Sequence, residues 1–345
     1  MKKKVKRIAC MILCGLMLWT LAGCAPAAGE TRPIPEDTSF RERVALTGDS
    51  VAVVRKDGTV RGTYVLHGTA DEAELWEIFA QAAERTEEIN EWENICGIIF
   101  GRWFVAGLRK DGTAIGAGLN ENLLNGMESW RDVKQIDSCY KTVVALFEDG
   151  TVGNTGECIW PSFEEWEDIT EISCGLMNVA AGLKKDGTAV YGCGCKEDDE
   201  QEAHEKIREE IKDWKDITQV ACGTHSVLGL KKDGTVVAAG DNRYGECTVD
   251  GWTDVVQVVG GDYRNFGIRS DGTVLVTDWM KAIEELDSDF IDISAIEDWQ
   301  DIVVLKDDSN LVMGVTADGE LRFAGNMEDK RVQAARKIWL EAEWG

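Results

Sequence analysis

The sequence predicts an all-β fold, a seven-bladed ring of radially stacked sheets (a β-propeller) with short helical insertions, and three observations carry that prediction. Asp-Gly followed by Thr or Glu occurs seven times, at Asp57, Asp111, Asp149, Asp186, Asp233, Asp271 and Asp318. A Trp follows each one, at 92, 130, 166, 214, 252, 299 and 339, with insertion-free steps of 38, 36 and 38 residues. From Trp to the next Asp-Gly the spacing is 19 residues, or 20 after Trp166, so all length variation falls after the Asp-Gly. The runs beside the turn, such as Val227 to Leu230 and Val236 to Ala239, are apolar on both faces, as in sheets sandwiched between two neighbours.

Each repeat has room for four strands. Asp-Gly between two apolar runs marks a tight hairpin, and a type I′ turn needs positive φ at both central residues, which Gly takes freely and Asp tolerates. Backbone geometry thus accounts for the seven Asp before any ligand is invoked. A solenoid would need polar caps at both ends, whereas the first unit (Val44 to Val65) looks like the others, so ring closure is the simpler expectation. Additions after the hairpin occupy residues 67–91, 193–213, 277–298 and 326–345. In the first, Thr69 and Glu72 form a capping box and Leu75, Ile78, Phe79, Ala82 and Ala83 a helical stripe. The third places Trp279, Ile283, Leu286 and Phe290 at heptad-like spacing, and both stripes are expected to pack on blade sides. The second, Lys196 to Lys212, is almost entirely charged and reads as a solvated helix. In the last, Trp339 belongs either to a C-terminal helix or to a closing blade.

The unit from Gly229 to Cys247, Gly-Leu-Lys-Lys-Asp-Gly-Thr-Val-Val-Ala-Ala-Gly-Asp-Asn-Arg-Tyr-Gly-Glu-Cys, resembles the regulator of chromosome condensation repeat. That family reads roughly Leu-x-x-Asp-Gly-x-Val-x-x-x-Gly-x-Asn-x-x-Gly-Gln-Leu-Gly, and weaker copies span residues 40 to about 326. The resemblance implies a seven-bladed propeller. Every unit departs from the Gly-Gln-Leu-Gly end, so the fold carries over better than any activity.

Five basic residues (Lys2, Lys3, Lys4, Lys6, Arg7) precede an apolar stretch from Ile8 to Trp19 and then Leu21-Ala22-Gly23-Cys24. This is an export signal, too short for the roughly 20 residues of a spanning helix. Leu-Ala-Gly-Cys resembles the bacterial lipobox, which implies diacylglycerol on the Cys24 thiol and stable membrane anchoring. The expected organisation is a signal peptide at 1–23, a lipidated tether at 24–39 holding Pro26, Pro33 and Pro35, and the propeller at 40–345, on the outer face of a bacterial membrane. About fifteen tether residues reach at most roughly 50 Å.

Without the signal bases, 32 Lys and Arg stand against 63 Asp and Glu. Phosphate neutralisation needs clustered bases, so nucleic acid is not expected as a partner and a cationic one suits the charge better. Eight mature Cys besides Cys24 remain (96, 139, 158, 174, 193, 195, 222, 247), and Cys174 and Cys222, eight residues after their Trp, read as buried thiols on the innermost strand. Cys193-Gly-Cys195 lacks His67, His204 or His225 nearby in sequence, so no metal is expected. Neither a catalytic triad nor a phosphate loop is present, and no cofactor is expected.

Ten to twelve residues past the Trp stand Trp103, Tyr140, Asn178, His225 and Tyr263, one per blade between first and second strands, accompanied by Phe104, Lys141 and Arg264. Aromatic and Arg side chains dominate interface energetics, so this ring is the candidate contact face. The leading expectation is a monomeric, non-enzymatic scaffold for a protein or peptide. Two others stay open: an envelope enzyme using channel acids on glycan or peptide, and a structural spacer.

Overall fold

The computed structural model describes residues 43–47, 50–64, 88–101, 104–118, 121–139, 141–156, 161–176, 178–194, 198–277, 292–308, 311–327 and 330–341. These form seven antiparallel sheets in chain order. Blades 1 to 4 are Val44–Thr47, Ser50–Val54, Val60–Tyr64; Ile95–Gly101, Phe104–Arg109, Ala114–Gly118; Val133–Cys139, Thr142–Phe147, Val152–Gly156; and Ile169–Gly175, Val179–Lys184, Ala189–Cys193. Blades 5 to 7 are Ile217–Cys222, Ser226–Lys231, Val236–Gly240; Val255–Gly260, Asn265–Arg269, Val274–Val276; and Ile302–Asp308, Leu311–Thr316, Leu321–Gly325. Each seam between neighbouring blades holds its own apolar cluster, and the seventh cluster joins blade 7 to blade 1. The ring is closed.

The Asp-Gly hairpin differs from the type I′ expectation. Only the Gly takes positive φ, from 77° at Gly112 to 88° at Gly58, while the hairpin Asp do not. Gly58 N–H donates to Arg55 O at 2.9 Å and Arg55 N–H to Thr59 O at 2.8 Å, which is a type I turn followed by a Gly bulge. The three-residue loop leaves the Asp side chain free to close it: Asp57 Oδ1 accepts from Thr59 N–H at 2.9 Å and Thr59 Oγ1–H at 2.7 Å. The same pair of bonds recurs at Asp111, Asp149, Asp186, Asp233 and Asp271, and holds their carboxyls below the usual range.

The hairpin also locks each seam. Gly58 O accepts from Ile95 N–H of the next blade at 2.9 Å, and five further seams repeat the bond through Gly272 O and Ile302 N–H. Two residues after each of six Trp, Asn94, Asp132, Asp168, Asp216, Asp254 and Asp301 adopt φ of 56–59°, a left-handed turn that Asn and Asp tolerate. Its backbone lies so near the hairpin that a Cβ on Gly272 would come within 2.4 Å of Asp301 Cα.

The described sheets have three strands where four were expected. Short helices, or in blade 5 the turns of residues 241–251, lie between the outer strand and the next blade instead. Asn90, in the 3-10 turn Glu88–Glu91, supplies the bonds a fourth strand would make, accepting from Gly62 N–H at 3.2 Å and donating to Gly62 O at 3.4 Å. Each Trp then folds back on the middle strand of its own blade: a Cβ on Gly229 would lie 2.8 Å from the Trp214 ring. Blade 3 has Ala145 at this register position, and Trp130 there is only half-buried, edge-on to Phe147 at 6.1 Å.

Helix α1 (Glu121–Met127) buries Leu123 and Met127 between blades 2 and 3. Helix α2 (Asp198–Ile211) is not the solvated helix its charge suggests. Ile207 and Ile211 are buried in the seam of blades 4 and 5, and His204 Nδ1 bonds Tyr191 Oη at 2.8 Å, since one turn-spaced stripe suffices to dock it. Helix α3 (Lys330–Glu341) settles the role of Trp339: Val332, Ala335, Ile338 and Trp339 pack on blades 7 and 1, and Trp339 Nε1–H donates to the last hairpin glycine, Gly319 O, at 2.7 Å. The indole thus replaces the strand N–H used at the other seams. The helical stripes of residues 67–83 and 279–290 lie outside the described residues, as do the signal, Cys24 and the tether. No helix among the described residues is long and apolar enough to cross a membrane.

Candidate functional site

Strand directions give the ring two ends. One carries the hairpins; the other carries the loops between inner and middle strands together with the ends of the outer strands, as Asp241 N–H to His225 O (2.9 Å) and Gly194 N–H to Asn178 O (2.8 Å) require. The sequence-derived ring of contact residues belongs to this loop end.

Two of its members meet. His225 of blade 5 and Tyr263 of blade 6 have ring centroids 6.4 Å apart at 42°, and Tyr244 completes the group edge-on to Tyr263 at 5.8 Å. All three are half-buried. Arg243 sets its guanidinium 5.8 Å from the Tyr244 centroid while Nε donates to Asp241 Oδ2 at 2.6 Å. Beneath them Glu246 is 1% exposed. Its Oε2 accepts from Tyr244 N–H at 2.9 Å, whereas Oε1 is buried and has no hydrogen-bond partner. Burial pushes the Glu246 carboxyl up, and Asp241 adds to this while His225 opposes it. The Tyr263 hydroxyl is pushed up by Asp262 first, then by burial, Tyr244 and Glu246.

The site is stiffened from below. Asn265, fully buried, donates through Nδ2 to Ser226 Oγ and to Glu246 O, both at 2.8 Å, and its Oδ1 accepts from Gly261 N–H at 3.2 Å. Asn242 Oδ1 accepts from Cys247 N–H at 3.0 Å, and Thr224 Oγ1–H donates to Asp262 Oδ1 at 2.8 Å across the seam.

Other expected members go elsewhere. Asn178 holds a left-handed turn (φ 56°) on blade 4, with its Oδ1 buried and unpaired. Phe104 is buried in the seam of blades 2 and 3. Arg264 is 1% exposed and bonds Asp307 Oδ1 of blade 7 at 2.8 Å, so it is a strut between blades, not a contact residue. Trp103 and Tyr140 lie outside the described residues. Tyr244, Arg243 and Glu246 were missed; their signal was the departure of Tyr-Gly-Glu from the family's Gly-Gln.

Among the described residues, the acids Asp137 and Asp307 are engaged in structure. Asp137 accepts backbone N–H bonds from Ser138 at 2.7 Å and Cys174 at 2.8 Å, and burial pushes its carboxyl up to about 6. Asp307 is held by Arg264, with burial raising its carboxyl. Cys139 and Cys222 are buried thiols, Cys174, expected to be buried too, is partly exposed, and burial raises Cys174 and Cys222 well above the ordinary thiol value. Such thiols are poor nucleophiles. Among the described residues no group of three or more His, Cys, Asp or Glu is placed to hold a metal ion.

Comparison with known proteins agrees with this architecture. A family model for the regulator of chromosome condensation (RCC1) repeat matches residues 217–246. The CRINKLY WD40 ectodomain of the Arabidopsis thaliana receptor kinase ACR4 superposes with a TM-score of 0.57 at 14% identity, over 82% of this chain and 94% of that one. The ectodomain of the Physcomitrella patens receptor kinase CR4 gives 0.51 at 15% identity, over 82% and 73%. Saccharomyces cerevisiae Prp20p, described with its binding to Gsp1p and histones, gives 0.50 at 15% identity, over 70% and 73%. No curated protein sequence matches. At these identities the likeness is one of fold, and the chain is a seven-bladed propeller whose fifth blade and following loop match the model of the regulator of chromosome condensation repeat.

Proposed function

We propose that the protein is a non-enzymatic interaction scaffold that holds a protein or peptide partner on the loop end of the ring, displayed outside a bacterial membrane by a lipid on Cys24. The observation that carries the reading is the half-exposed trio of His225, Tyr244 and Tyr263, gathered from two blades over a buried carboxylate. Amphipathic rings held by a rigid base supply contact area at low entropic cost, which is what interface anchors require. The fold supports the same reading, since Prp20p, similar in fold, is described as binding other proteins. Among the described residues, Asp137 is taken up by backbone N–H groups and Asp307 by Arg264.

The test is photo-crosslinking in cells that export the full chain, with benzoylphenylalanine at position 244 on the loop end or at 148 on the hairpin end. Adducts from position 244 and none from 148 are expected. Adducts from 148 alone, or from neither, would overturn the reading. Palmitate labelling lost in Cys24→Ala tests the anchor.

A further inference from the structure

We propose that the cluster of His225, Tyr244, Tyr263 and Glu246 at the loop end seats the side-chain ammonium of a lysine presented by a peptide or protein partner. This rests on the scaffold reading and names the chemistry of its recognition.

The charges around the site have one acceptor left over. Asp241 is taken by Arg243, both through Nε at 2.6 Å and through Nη2 at 2.5 Å, and Asp262 accepts the Thr224 hydroxyl. Among the described residues Glu246 makes no salt bridge. One oxygen, Oε2, is used by Tyr244 N–H, and the other, Oε1, has nothing. Leaving a buried acceptor unsatisfied is costly, more so when it is charged, so Glu246 is a standing cost that folding alone does not explain. The repeat pattern of the family carries Gln here, whose amide brings a donor of its own; this chain substitutes a side chain that only accepts when ionised.

Ligand class follows from the same geometry. An anion would meet the unpaired oxygen of Glu246 and the nearby Asp262, while Asp241 is already neutralised by Arg243. A cation gains the carboxylate oxygen and lies beside aromatic rings, whose quadrupole favours it further. Ammonium is preferred to guanidinium because only one oxygen is free: a guanidinium fork recognises two acceptors at once, whereas a lysyl ammonium is a point charge satisfied by one. The His225 and Tyr263 rings, half-exposed and within electrostatic reach of Glu246, must rotate to admit it. Rotamer changes of exposed side chains are fast.

The experiment uses detergent-solubilised full chain and the probe acetyl-Gly-Lys-Gly-amide, titrated by calorimetry against wild type and Glu246→Gln. Binding should weaken at least about tenfold in the variant, and should be lost when the lysine is acetylated. The arginine analogue should bind more weakly than the lysyl peptide. Thermal melting controls the variant, and Gln is expected to leave it as stable or more so. Should Glu246→Gln fail to fold, Tyr263→Ala is the second variant, with the same expected loss. Retention within twofold by a folded variant, equal binding of the acetylated peptide, or butylamine binding as well as the lysyl peptide would overturn the assignment. A crosslinked partner at position 244 combined with no lysyl selectivity would sink this inference and leave the scaffold reading standing. Absence of loop-end adducts would sink the scaffold itself.

Discussion

The two ends of the ring use the same strands for opposite purposes. At the hairpin end, blades 1 to 6 repeat one set of bonds: Asp to Thr within the turn, and glycine carbonyl to the first strand N–H of the next blade. At the loop end, equivalent positions hold Lys141, Asn178, His225 and Tyr263, and the blade 5 loop adds a buried carboxylate with an unpaired oxygen. Repetition marks what the ring needs in order to close. Variation on a stiff base marks where selection on something outside the ring is free to act.

Substitutions should therefore separate into those that unfold the ring and those that only disarm it. The largest effect is expected at the closing seam. Trp339→Ala removes a buried indole and the bond to Gly319 O, and should cost about 3–5 kcal/mol in denaturant unfolding. A loss under about 1 kcal/mol would mean that α3 is ornament and that the ring closes through its strands alone.

Next comes pH. The Asp137 carboxyl, raised to about 6 in the folded chain against about 3.9 unfolded, binds its proton more tightly when folded. Its stabilising contribution is complete below the unfolded value and is lost as pH rises through 6, by at most about 3 kcal/mol given its partial cover. Melts between pH 4 and 7 should show this slope, and Asp137→Ala should flatten it. Smaller again is Gly272→Ala at the hairpin end, where φ of 79° and the 2.4 Å approach to Asp301 predict about 1–3 kcal/mol, read by thermal melting. The smallest effect on stability is expected at the loop end. Tyr244→Ala should change unfolding by no more than about 0.5 kcal/mol yet remove lysyl-peptide binding. A variant that melts far below wild type would make the trio a structural element.

Much of the hairpin end was legible in the sequence, for a physical reason: a turn that recurs in every blade imposes the same Gly, Asp and Trp at fixed spacing. What misled was local ambiguity. Asp-Gly serves both a two-residue I′ turn and a three-residue turn with a Gly bulge, and only the fate of the preceding residue, Lys56 in blade 1, separates them. The missing fourth strand was hidden because Asn90 satisfies Gly62 through a side chain, which leaves no strand pattern to read. The loop end was half legible. Position alone found His225 and Tyr263, but Arg264 looked like a contact residue because its partner, Asp307, stands 43 residues away. Glu246 escaped because it breaks a pattern, and a departure is visible only beside the motif it departs from.

The most direct test of the division between the two ends is hydrogen–deuterium exchange on the full chain with and without saturating acetyl-Gly-Lys-Gly-amide. Protection confined to residues 241–249 and 261–265, with the hairpins at 55–59, 109–113 and 231–235 unchanged, is the result expected. Protection at the hairpins with none in the blade 5 and 6 loops would contradict the assignment of recognition to the variable end.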